Sequence, residues 1–479
     1  MTQTTPADER RLAGERRRII GSVVVGTTVE WYDFFVYASV AGIVFSKVFF
    51  GPATEGNEGL GAIFAFLTVG ISFLFRPLGA FLAGHYGDKI GRKPMLVITL
   101  LLMGVATTLI GLLPTYNGTP GDWFGGIGVA APILLLLLRV LQGISAGGEW
   151  GGAVLLATEH APTEKRGRFG MFPQLGVPFG MILASGMVAL VTALTGDNFA
   201  VWGWRIPFLF SVVLVVVGFI VRSSVEESPV YKEIADVQKQ ESAPIVTLFR
   251  KHGLTVALLA ALFIGNNAAG YMTTGGYIQR YATNKETGLG MDITFVMLAV
   301  LGAAAMWALV TYIAGHIADR IGRKKTFLIG YGLQLVTVWL LFAMVQTANP
   351  VMVVMGLLIY AIPLGLQYGP IAVWYVESYP ASVRFSGVSI AYALGAIVGG
   401  AFAPTIAEWL MQTFGNVYAI STYLFIATLI SLAAAIILKD RTGIPLTHKF
   451  EEQGGFQTWK PGDPTQEELA TATSPFRSI

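Results

Sequence analysis

Residues 84–93 read GHYGDKIGRK, and residues 315–324 read GHIADRIGRK. Seven of the ten positions agree, and each copy follows an apolar run long enough to cross a bilayer. A second pair lies further along: Glu159, Pro162 and Arg166 share the pattern E-x-x-P-x-x-x-R with Glu377, Pro380 and Arg384. The first pair is offset by 231 residues and the second by 218; the longer loop 114–127, against 346–350, supplies most of the difference of 13. Two motifs repeated in the same order imply two related halves. Parallel six-span halves, related about an axis along the membrane normal, are the arrangement such a repeat predicts.

Outward from these loops, runs of about twenty apolar residues predict spans near 20–44, 60–83, 94–113, 128–157, 169–194 and 205–221 in the first half. The second set lies near 254–281, 292–315, 326–346, 350–376, 386–413 and 417–438. The expected fold is an all-α integral membrane protein with twelve transmembrane helices, two six-helix halves in pseudo-twofold arrangement. Its segments would be a tail 1–19, a half 20–221, a central loop 222–253, a half 254–438 and a tail 439–479. The first apolar run carries Glu30 and Asp33 and outruns a signal core, so it reads as a span and not a cleaved leader.

Composition agrees. Of the 479 residues 54% are apolar and 13% charged, against a charged fraction of about a quarter in soluble domains. A net charge of +3 without a concentrated basic patch excludes nucleic-acid binding. There is no cysteine, and no His-x-x-x-His or carboxylate cluster suggests a metal. Of the 32 lysines and arginines, 26 fall on one face, counting the tails, and only Lys47, Arg205, Arg280 and Lys285 on the other. Excess positive charge marks the cytoplasmic side, so both termini are expected there.

Arg76 and Arg139 remain inside spans, with Glu30, Asp33 and Glu149 in the same half and Glu408 and Glu377 in the other. An ionisable group in a span costs several kcal/mol unless paired, which makes each a functional candidate. At about 1.5 Å per residue, Glu30, Asp33 and Arg139 fall near the midplane, where the arginine can reach either acid. Asp33 is the first choice for a proton carrier and Glu30 the second; a static ion pair fixing helix registry is the alternative. Arg76, before Pro77, fits snorkelling as well as substrate binding. Glu149, among glycines, fits a second proton site or a packing role. His85 and His316 read as structural. Uncharged polar residues mark a cavity: Gln174 between two prolines, Asn266, Asn267 and Tyr271 on span seven, and Gln367 and Tyr375 on span ten. Interhelical hydrogen bonding is the plain alternative for each. Trp202, Trp204 and Trp409 read as interfacial anchors.

The repeated G-x-x-x-D-x-x-G-R-K loop resembles the signature of the major facilitator superfamily. Glu30-Trp-Tyr-Asp-Phe34, Arg76-Pro-Leu-Gly79, Arg139-Val-Leu-Gln-Gly143, Gly147–Gly152, Gln174–Pro178, Trp202–Pro207, Glu226–Pro229 and Gly265-Asn-Asn267 resemble its metabolite:proton symporter branch. Where many members of that branch have Gly-Asn, this chain has Gly26-Thr27, which with Phe34-Phe-Val-Tyr37 looks most like shikimate-type members. The resemblance implies a multi-pass protein of the bacterial cytoplasmic membrane that imports a small hydrophilic metabolite with protons, through Asp33, Glu30, Arg139 and Glu149. A carboxylate such as shikimate is the expected substrate. It would be held by Arg139, Gln174, Asn266, Asn267, Tyr271, Gln367 and Tyr375. A cytoplasmic gate would use Gly84, Asp88, Gly91, Arg92 and Lys93 in one copy, and Asp319 and Arg323 in the other. Glu159 with Arg166, and Glu377 with Arg384, would complete it. A loop that only holds positive charge inside would need none of this spacing. Proline, betaine or dicarboxylate symport are rival substrate classes; a drug–proton antiporter, a facilitator and a sensor are rival functions. The first half's charged span one speaks against the antiporter, and no output domain suits a sensor. No nucleophile elbow or phosphate loop supports an enzyme. No cofactor and no obligate protein partner is expected beyond substrate, protons and the lipid bilayer.

Overall fold

The computed structural model describes residues 6–54, 57–82, 92–119, 122, 125–159, 161–223, 244–273, 276–285, 288–460 and 462–463, some at the edges of these ranges by backbone alone. Ten helices are long and apolar enough to cross a membrane, and two shorter apolar ones join them. In chain order the first six are α1 (Arg18–Val48), α2 (Gly59–Leu82), α3 (Val97–Leu112), α4 (Ala130–Glu159), α5 (Thr163–Phe199) and α6 (Arg205–Val221). The second six are α7 (Leu248–Gly270), α8 (Ile293–Ile321), α9 (Arg323–Val345), α10 (Pro350–Glu377), α11 (Ala381–Phe414) and α12 (Tyr418–Ile437). These are the twelve spans of the major facilitator fold that the hydropathy predicts. On the face opposite the basic loops, Asn57, Asp292 and Asn349 cap α2, α8 and α10 by accepting from backbone amides of the first turn. Those caps fix where each helix enters the membrane.

The exterior is the inverse of a soluble protein's. Leu137, Leu190, Val216, Leu254 and Val336 are exposed, and lipid is their natural solvent. Small residues line the seams between the halves. A Cβ on Gly315 would stand 2.5 Å from the Met171 sulfur and 2.9 Å from the Gly167 carbonyl, so α8 and α5 pass in backbone contact. One on Gly70 of α2 would stand 2.6 Å from the Ala401 carbonyl of α11. Gly322, in the repeated loop, has φ +93°, a left-handed value that side chains rarely adopt.

Two expectations fail here. Trp204 is no interfacial anchor: it is fully buried against Phe45 and Phe208, while Trp202 and Trp409 are exposed. Arg205 and Arg280, counted among the charges of the opposite face, are buried as well. Arg205 pairs with Asp122 and donates to the carbonyls of Gly111 (2.9 Å) and Leu113 (2.7 Å), closing the end of α3. Arg280, on the short helix Tyr277–Thr283, pairs with Glu408 at 3.3 Å and donates to the Gly42 carbonyl of the other half. Both gain carbonyl and carboxylate acceptors that water would otherwise supply.

Candidate functional site: gate network and central charges

At the basic face the regular α-helix of α5 begins at Arg166, after a 3-10 turn, and its first amides lack helical acceptors. Asp319 fills that role from the other half, accepting from the amides of Gly167 (2.7 Å) and Arg168 (3.0 Å). Its negative charge also suits the positive end of the helix. Arg323 holds Asp319 at 3.3 Å and grips Glu377 with two nitrogens, at 3.1 and 3.2 Å. Fork-to-carboxylate contacts of this kind are among the stronger ion pairs.

Among the described residues, the ion pairs of the duplicated E-x-x-P-x-x-x-R motif run between the copies and not within each copy as expected. Arg166 lies 3.8 Å from Glu377, and Arg384 lies 3.9 Å from Glu159. The partners are exchanged between the halves. The reason is local geometry: after each proline a short 3-10 turn leads into the next helix, so the arginine starts a new helix pointing at the seam. The segment after α12 ties into the same network. The carbonyls of Ile444 and Leu446 accept from Arg166 (2.6 Å) and Arg384 (2.9 Å), and the Gly443 amide donates to Glu377 (3.2 Å). Nothing in the sequence pattern of 439–479 marked this. Gly84, Asp88 and Gly91 of the first copy lie outside the described residues, as do the side chains of Arg92 and Lys93.

The midplane pair also differs from expectation. Among the described residues no ion pair joins Asp33 to Arg139. Asp33 is buried and accepts from the Ser211 hydroxyl of α6 at 2.6 Å, while its Oδ2 has no hydrogen-bond partner. Arg139 turns the other way, onto α2. Its Nε donates to the Thr68 carbonyl (3.1 Å), and Nη2 to the Val69 carbonyl (3.3 Å) and the Ser72 hydroxyl (2.8 Å). The Tyr37 ring covers the guanidinium at 3.8 Å. Neutral side chains lead from Arg139 toward Asp33. Arg139 Nη1 donates to Gln142 at 2.6 Å, and Gln142 donates to Thr107 at 2.7 Å. The Thr107 hydroxyl donates to the Met103 carbonyl at 3.0 Å and lies beside the Asp33 carboxyl, and Glu149 is buried in the same half. Gln142, Thr107 and Ser211 escaped the sequence reading, because single polar residues inside apolar helices carry no motif.

The proposed substrate residues separate into two groups. In the second half Asn266 donates to Gln367 (2.8 Å), Gln367 to Gln334 (2.7 Å), and Gln334 to Thr428 (2.9 Å). That chain stitches α7, α10, α9 and α12 together, so Asn266 and Gln367 are engaged in helix packing. Asn267 donates to the Ala396 carbonyl and Tyr375 to that of Leu259. The Tyr271 side chain lies outside the described residues. Gln174 is different. Its oxygen accepts from the Trp150 indole at 2.8 Å, and its buried Nε2 has no partner. Trp150 stacks on Tyr392 of α11 at 3.7 Å, so this group sits on the seam between the halves. Glu30 and Arg76 both lie within electrostatic reach of the Tyr392 hydroxyl.

Residues 23–399 match the Major Facilitator Superfamily. The chain belongs to that family. It is therefore a multi-pass membrane transporter and not an enzyme. It is 37% identical to the inner membrane metabolite transport protein YhjE of Escherichia coli K12, over 89% of this chain and 94% of that one. It is 34% identical to the shikimate transporter of the same organism, over 90% of this chain and 95% of that one. Among solved structures, the partially occluded inward-open xylose transporter XylE from E. coli shares the fold. The TM-score is 0.70 at 18% identity, over 90% of this chain and 99% of that one. The expected family is thus the observed one.

Proposed function

We propose that this transporter imports a small hydrophilic carboxylate of the shikimate kind together with protons, across a bacterial inner membrane and with both termini cytoplasmic. The observation that carries the coupling is Asp33, a buried acid with one unpartnered oxygen and, among the described residues, no ion pair to Arg139; the side chains that run from Arg139 through Gln142 end at Thr107, beside it. A carboxylate so placed can take a proton without breaking a salt bridge, and the neutral chain can relay the change to α2 and α4. The basic-face network closes the path: Asp319 on the α5 amides and the exchanged Glu377–Arg166 and Glu159–Arg384 pairs must part before the substrate leaves. The resemblance to the shikimate transporter supports the substrate class, and the 26 basic residues of one face support the orientation.

Reconstituted vesicles test this reading. With an imposed inward proton gradient, labelled shikimate should accumulate, and unlabelled shikimate should compete better than citrate, 2-oxoglutarate, proline or betaine. Accumulation that ignores the pH gradient would overturn symport; competition by betaine or citrate alone would overturn the substrate class.

A further inference from the structure

The two intramembrane arginines differ in one respect that bears on the ligand. Arg139 is engaged through Nε, Nη1 and Nη2 with carbonyls, Ser72 and Gln142. Arg76 is 6% exposed, yet its Nε has no hydrogen-bond partner, and among the described residues no ion pair reaches it. Aromatic rings hold it: its guanidinium carbon lies 4.2 Å from the centroid of Phe73 and 5.4 Å from that of Trp31.

Two more buried donors nearby lack acceptors, the Trp31 indole Nε1 and the Gln174 Nε2. They belong to one contiguous group. Arg76 lies over Trp31 and within electrostatic reach of Tyr392; Tyr392 stacks on Trp150; Trp150 donates to Gln174. Leaving a buried donor unsatisfied costs about 1–3 kcal/mol, and more for a charged one. Three such donors in one group, one of them on a guanidinium, suit a ligand that presents oxygen lone pairs and negative charge, even with the Glu30 carboxyl within reach of the same Tyr392. We propose that Arg76, with the Trp31 and Gln174 donors, is the site that binds the carboxylate of the transported molecule. The inference rests on the transporter reading and names the residue that recognises its substrate class.

The aromatic seam completes the site. Trp150 and Tyr392 come from opposite halves, and their rings stack on each other. A ligand seated on Arg76 parts this stack and lays its carbon skeleton against the rings. Arg139 keeps its place in the coupling chain. A bare cation is rejected by the Arg76 charge.

The test is binding without any gradient. Purified full-length protein in detergent is titrated with shikimate and with its neutral methyl ester, read by tryptophan fluorescence. Shikimate should bind the parent protein roughly tenfold to a hundredfold more tightly than the ester, the worth of charge-assisted hydrogen bonds. Arg76→Gln should erase that preference, while Arg76→Lys should keep most of it. Gln174→Leu should weaken the acid by a smaller factor, and it decides the matter should Arg76→Gln fail to fold. An acid preference that survives these substitutions overturns the assignment. So does a parent protein that binds none of shikimate, 2-oxoglutarate, lactate or benzoate. Because no proton gradient enters, failed coupling in vesicles would leave this result standing. Conversely, an Arg76→Gln protein that accumulates shikimate normally would sink the site and spare symport.

Discussion

The interiors of the two halves are built from different chemistry. The first half buries Glu30, Asp33, Arg76, Arg139 and Glu149. The second closes its core with a neutral chain, Asn266–Gln367–Gln334–Thr428, in which each amide meets a partner. Amides and hydroxyls keep one state at every physiological pH; buried acids do not. The second half's buried acids, Glu377 and Glu408, are paired with arginines, so on the proposed reading the first half responds to protons and the second is the scaffold against which it moves.

Replacing Asp33 with Asn should have the largest effect. It should abolish pH-driven accumulation while leaving exchange of labelled for unlabelled substrate measurable. Full accumulation by this variant would transfer the carrier role to Glu30 and weaken the contrast between the halves. Next comes the gate. Glu377→Gln leaves Arg323 and Arg166 buried without their shared partner, a loss of about 3–5 kcal/mol for a buried pair. Initial uptake rates should fall well below the loss in membrane abundance, as measured by transport and immunoblot together. The double exchange Glu159→Arg with Arg384→Glu should recover much of what either single change loses; two equally dead singles and an equally dead double would refute pairing across the seam. A smaller effect should follow Gln367→Leu, which breaks the neutral chain. It should lower stability by about 1–3 kcal/mol in thermal melts, yet leave the pH profile of uptake unchanged. A shifted profile would show that the second half also senses protons. The smallest should be Gly332→Ala, where an added Cβ meets nothing within 4 Å. It should fall within about 0.5 kcal/mol of the parent, whereas Gly315→Ala at the α5–α8 contact should be visibly destabilised.

Hydropathy and the repeated loops were enough to read the architecture, because a span must be apolar over its full length and a duplicated motif keeps its order. The identities of the buried charges were legible for the same reason: polar atoms inside apolar runs stand out. Their partners were not. Asp33 and Arg139 share a depth, but depth says nothing of the direction in which a side chain leaves its helix, and these two turn to α6 and α2. The Glu159–Arg384 exchange was hidden likewise, since seven residues within one motif are nearer in sequence than 225 across the chain. Asn266 and Gln367 had the look of cavity residues because composition cannot separate a polar wall from a polar weld. The unpartnered donors of Arg76, Trp31 and Gln174 needed coordinates altogether.

The exchange of partners between the duplicated motifs has a consequence for how such a molecule arises. Glu of the first copy meets Arg of the second, and Glu of the second meets Arg of the first. Those are the reciprocal contacts of an isologous interface, in which the same patch faces itself about a twofold axis. A six-helix chain carrying one motif would satisfy both charges by pairing with a second copy of itself. Joining two such chains end to end preserves every contact at the basic face, and each half is then free to change its interior without losing its hold on the other.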